Sequence, residues 1–150
     1  MLRKVLIELY ERDLAKLKSE IEQFPDEESL WRTADGVSNS AGNLTLHLIG
    51  NLKHFFGAVL GKNGFVRDRD SEFTRTAVPR SELLADIDET LDVVRSTLAG
   101  LTEHDLDKPY PIDVFGHPMT TGYFVTHLTT HFNYHLGQIN YYRRLLVGRS

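Results

Sequence analysis

Residues 121–146 read TGYFVTHLTTHFNYHLGQINYYRRLL. The run follows a segment broken by Pro109, Pro111, Gly116 and Pro118, and it reads as one long helix from about Thr121 to Leu146. On that helix His127, His131 and His135 recur at every fourth residue. Each step of four advances only about 40° around the axis, so the three rings form a ladder on one face. The outer two stand about 12 Å apart along the axis, too far to share an ion, so only an adjacent pair ligates. A third imidazole from a neighbouring helix completes a three-histidine site with an open position, as in catalytic rather than structural zinc centres. Gln138, one turn beyond His135, is placed to orient a ligand and favours the His131–His135 pair. His127 is then free for another role.

Working back along the chain, three more stretches have helical spacing. Residues 2–24 carry Leu2, Val5, Leu6, Leu9, Leu14, Leu17, Ile21 and Phe24 on one stripe, and Pro25 ends them. A second helix starts near Ser38 to Ser40, where side chains suited to capping occur, and runs to about Leu60 before Gly61 and Gly64. A polar loop containing Arg67-Asp68-Arg69-Asp70 leads to Pro79, and a third helix runs from there to Ala99. The segment 101–118 is a long connection with room for a short extended hairpin around Ile112–Val114 and Met119. Helices of about 20 residues joined by long connections describe an all-α four-helix bundle, here one domain over residues 1–150.

The second helix holds the partner for the ladder. Asn43, His47, Asn51 and His54 form a polar stripe with apolar residues on both sides. Such a helix is buried on several sides, and its polar groups need partners that a metal or a lined pocket supplies. The blander reading makes the stripe a wet face of the bundle.

Composition removes other chemistries. The chain has 150 residues, net charge −4 and no cysteine, so disulfides, thiolate ligands and a cysteine nucleophile are excluded. No basic run resembles a nucleic-acid footprint. The N-terminus lacks the apolar core of a signal peptide, and no stretch approaches the length of a membrane span. The expectation is a soluble cytoplasmic protein with a small-molecule substrate. No Glu-x-x-His spacing suits a di-iron bundle, and there is no His-Glu-x-x-His. His104 and His117 lie in loop-like sequence and are expected to face solvent. Trp31 and the Tyr141-Tyr142 pair read as packing residues.

The stretch Asn39-Ser40-Ala41-Gly42-Asn43-Leu44-Thr45-Leu46-His47-Leu48 resembles the second-helix motif of DinB/YfiT-like proteins. Residues 127–139, HLTTHFNYHLGQI, resemble their last-helix motif. The resemblance covers nearly the whole chain. It implies a four-helix bundle with a divalent metal held by His47, His131 and His135, with His127 a neighbour of the site. It also implies a homodimer. Characterised members of that superfamily include thiol S-transferases, a thiol-dependent isomerase and the metal-binding domain of a sulfoxide-forming enzyme. Leu136 stands where many members carry Arg.

Residues and resemblance together point to a metal-dependent enzyme. The leading expectation is transfer of a low-molecular-weight thiol to a small electrophile. Zinc and nickel both suit imidazole ligands. Asn51, His127 and Gln138 are the candidates for supporting or pocket roles. A metal-dependent hydrolase using the same ion is the alternative enzyme. A non-catalytic, metal-binding or dimerising stress protein is the alternative outside enzymology.

Overall fold

The computed structural model describes residues 1–147, and these are helical without any strand. Four long helices, α1 (Leu2–Gln23), α2 (Ala41–Leu52), α4 (Arg80–Ala99) and α6 (Thr121–Leu146), surround one apolar core. Two short ones, α3 (Arg69–Thr74) and α5 (Glu103–Asp107), lie in the connections. α1 and α2 each pack against both α4 and α6, which closes the four into a ring. No described helix is long and apolar enough to cross a membrane.

Local chemistry explains the helix ends. The Ser40 hydroxyl accepts from the Asn43 amide at 3.1 Å and starts α2. Thr120 does the same for α6 through the Tyr123 amide at 3.0 Å. Such caps satisfy amides that have no partner within the helix. Every residue of α2 is buried, so its polar stripe is no wet face. Beyond Leu52 the winding widens to a π-helix over Lys53–Leu60, where the apolar pattern led us to expect continued α-helix. Gly61 ends it, followed by Lys62 in the left-handed region at φ 50°.

Polar pairs reveal the helix directions. Asp13 accepts from Asn133 at 2.7 Å, and further along both helices Glu20 accepts from Asn140 at 2.6 Å, so α1 and α6 run parallel. Glu11 pairs with Arg95 and Lys18 with Asp88, so α1 and α4 run antiparallel. α2 opposes α6, since Leu44 shares a hollow with Gln138 and Asn51 shares one with His127. The chain leaving α2 must therefore travel back along the molecule before α4 can begin. That return carries α3 along the side of α2.

Two connections differ from the reading of the sequence. The stretch expected to be a polar loop contains α3, started by Asp68 accepting from the Ser71 amide at 3.3 Å. The expected hairpin is a bent loop, pinched at its base by a single antiparallel bridge between Pro109 and Thr120. His104 lies in α5 rather than a loop, though it and His117 are exposed as anticipated.

Candidate metal centre

α2 and α6 bring His47, His131 and His135 together, with one ring nitrogen from each within 4.8 Å of the others. Nε2 of His47 lies 3.1 Å from Nε2 of His131. The His135 ring packs edge-on against both, at centroid distances of 5.1 and 4.7 Å. His47 comes from the buried stripe of α2, and the other two are adjacent rungs of the α6 ladder.

The outer nitrogens define how the rings are held. His47 Nδ1 lies 3.0 Å from Glu72 Oε1. An ionised carboxylate only accepts, so the proton sits on Nδ1 and Nε2 keeps its lone pair. His135 Nδ1 likewise donates to Gln138 Oε1 at 2.7 Å, the contact anticipated from their spacing. His131 Nδ1 is buried without a partner. Burial lowers the His131 pKa to about 4, with further push from the neighbouring His135, His47, His127 and Arg67. Burial also lowers that of His135. Both rings are therefore neutral at pH 7, the form in which imidazole binds a metal.

Glu72 was not anticipated. It is 5% exposed, and Arg67 clamps it with Nε to Oε2 at 2.8 Å and Nη2 to Oε1 at 2.9 Å. Burial opposes its ionisation, but the hydrogen bonds from His47 and Arg67 prevail and its pKa falls below the usual value. Gly50 makes room for it. A Cβ there would stand 1.8 Å from Glu72 Oε2. Asn43 fastens the same segment, donating to the carbonyls of Glu72 and Arg75 at 3.0 and 2.8 Å. The returning connection thus delivers the carboxylate that orients His47. The only signal in the sequence was the requirement that an imidazole ligand have an outer partner.

The donor set fits a divalent ion. Two nitrogens bound at about 2.0–2.1 Å to one tetrahedral ion stand about 3.3 Å apart, close to the spacing of His47 and His131. Without a proton or a cation between them, two lone pairs at 3.1 Å would repel.

A hollow of about 220 Å³ borders His47 and His131. Asn51 and His127 also line it, with Phe55, Phe115 and Phe124 as aromatic wall. His127 lies against Phe115, at a centroid distance of 5.0 Å, and outside the triad. His54, the last of the stripe, packs on Phe55 and joins neither triad nor hollow. A larger hollow of about 720 Å³ borders His135 and Gln138 on another side and includes both Tyr141 and Tyr142. Tyr142 is packed, its hydroxyl accepting from the Ala34 amide, whereas Tyr141 is 60% exposed and not a packing residue. Trp31 lies across Gly42, where a Cβ would approach its ring to 2.6 Å.

These features define an all-helical protein whose last helix and a buried partner helix present three converging imidazoles. The chain belongs to the family described as Protein of unknown function (DUF1572), whose model matches residues 3–150. No curated protein matches it.

Proposed function

We propose that this protein is a metal-dependent enzyme that transfers a low-molecular-weight thiol to a small electrophile. The observation that carries the reading is the triad of His47, His131 and His135, with two of its outer nitrogens held by Glu72 and Gln138 and a hollow alongside. The three imidazoles would hold a zinc or nickel ion. When bound, the ion lowers the pKa of a thiol or water and polarises an electrophile.

In the transfer, the thiol loses its proton to solvent. Its sulfur forms a bond to carbon while the leaving group departs with the electron pair of the bond that breaks. Glu72 keeps the His47 proton on Nδ1, away from the binding nitrogen. Gln138 does the same for His135. Phe55, Phe115 and Phe124 give one side of the hollow an aromatic, apolar wall. We extend the reading to a DinB/YfiT-like four-helix bundle, supported by the ring of four long helices and the motif resemblance, and to a homodimer, which the motif resemblance alone supports.

The test is metal content by mass spectrometry of untagged protein and of His47→Ala, followed by a thiol screen against a chromogenic electrophile. The expected result is near one ion per chain, lost in the variant together with thiol-dependent turnover. Equal metal in both proteins would remove the triad. One ion per chain without turnover for any thiol would remove the transferase reading and leave the centre.

A further inference from the structure

Two buried polar atoms beside the triad have no hydrogen-bond partner among the described residues: His131 Nδ1 and Asn51 Oδ1. Asn51 is only 7% exposed, and both residues line the hollow of about 220 Å³. Buried polar atoms left single cost stability, so each calls for a partner. The two needs are complementary. An amide oxygen only accepts. An imidazole that gives one nitrogen to an ion carries its proton on the other, which then only donates. His131 turns Nε2 toward His47, 3.1 Å away, so Nε2 is its binding nitrogen and Nδ1 the donor.

The fold aims the two side chains at each other. Asn51 lies one turn beyond His47 on α2, and it shares the hollow with His127, one turn before His131 on α6. Helical side chains lean toward the N-terminus of their own helix. On opposed helices, Asn51 therefore leans toward the level of His131, and His131 toward the level of Asn51. The acceptors that serve the other two rings are spent. Glu72 takes His47 and Arg67, and Gln138 takes His135.

We propose that Asn51 is the positioning residue of His131, its Oδ1 accepting the Nδ1 proton as Glu72 does for His47 and Gln138 for His135. The two atoms are not bonded to each other in the structure. Once Nε2 is given to an ion, the ring proton has no place but Nδ1, and closing the pair satisfies both atoms at once. Each ligand of the triad then has an outer acceptor of its own. The inference rests on the metal centre of the proposed function and is independent of thiol transfer.

The test compares wild type with Asn51→Leu, Asn51→Ala and Asn51→Asp, each checked for fold by circular dichroism. Zinc affinity is read by competition with a chromogenic chelator, and Tm is read on metal-free protein. Asn51→Leu and Asn51→Ala should bind zinc about 10- to 100-fold more weakly. The metal-free Tm of Asn51→Leu should not fall, since an apolar group of like size replaces an unpartnered oxygen. Asn51→Asp, which keeps an acceptor, should bind zinc at least as tightly as wild type. Proton–nitrogen correlation spectra of the zinc-loaded, histidine-labelled proteins give the direct signature. The His131 Hδ1 resonance should move upfield in Asn51→Leu and downfield in Asn51→Asp, with those of His47 and His135 unmoved.

A zinc affinity of Asn51→Leu within about twofold of wild type overturns the proposal. So does a His131 resonance that is the same in both, since the acceptor is then another group. A loss of affinity that tracks a fall in metal-free Tm and is not restored by Asn51→Asp makes Asn51 a packing residue, and also overturns it. Wild type without zinc affinity removes the metal centre and this inference with it. Zinc binding without turnover of any thiol removes the transferase reading alone.

Discussion

Replacing Glu72 by Gln should weaken metal binding and stability together, by amounts that the geometry sets. The variant keeps the shape of the side chain but loses the charge that faces His47 Nδ1 at 3.0 Å and Arg67 at 2.8 and 2.9 Å. Outer partners of ligating histidines contribute about 10- to 100-fold to metal affinity, which corresponds to about 1.4–2.7 kcal/mol. Arg67, only 12% exposed at its side chain, is left without its anion. Removing one partner of a buried pair costs about 3–5 kcal/mol, and the partial solvation of Arg67 and the retained amide contacts reduce this to about 2 kcal/mol. At about 2–4 °C per kcal/mol for a chain of this size, the metal-free Tm falls by about 4–8 °C. Competition against a chromogenic chelator gives the affinity, and thermal unfolding of metal-free protein gives the Tm. If the Tm falls as expected while zinc affinity stays within about twofold of wild type, Glu72 is a strut for α3 and the orientation argument is refuted.

Other outcomes follow from the same structure. Gly50→Ala should reproduce both losses, because its Cβ would meet Glu72 Oε2 at 1.8 Å, and should cost about 1–3 kcal/mol in urea unfolding; a stable variant with native zinc affinity would contradict it. His127→Ala should retain the full metal content of wild type, since the ring lies outside the triad; loss of the ion would redraw the ligand set. Metal-free protein should lose stability on acidification. His131 has a folded pKa of about 4, below its unfolded value of about 6.5, so the unfolded chain takes up the proton first. Stability therefore declines as pH falls from about 6.5 to 4, by about 1–2 kcal/mol after allowing for partial solvation. Glu72, whose folded pKa is depressed, adds a further loss below its unfolded value. Urea titrations across pH check this, and His131→Asn should flatten the upper part of the window. Leu48→Ala, at a fully buried position on α2, should cost about 2–5 kcal/mol without changing the metal stoichiometry.

The long helices and the imidazole ladder were legible because their signals are periodic. α1, α4 and α6 present repeating stripes over five or more turns, and the structure bounds them within a residue or two of the sequence reading. The pairing of His135 with Gln138 was equally local. α3 and α5, of 6 and 5 residues, are too short for a period to declare itself. The π-helix is hidden for another reason, since a slight change in winding leaves the apolar pattern of Lys53–Leu60 nearly the same. Glu72 was invisible because it stands 25 residues from His47 in sequence and among charges that do face water. Only the direction of the returning connection turns it inward.

The parallel seam between α1 and α6 has a bearing on the metal centre it never touches. Asp13 and Glu20 are almost wholly enclosed, and each depends on an asparagine of α6. Sliding α6 by one turn, about 5.4 Å, would part Glu20 from both Asn140 and Arg143 and leave Asp13 with only Arg12 of its own helix, at a cost of several kcal/mol. The seam therefore acts as an alignment key, rejecting every longitudinal setting of α6 but one. The setting it admits is the one that brings His131 and His135 level with His47, so the spacing of the three rings is policed from the opposite side of the helix that carries two of them.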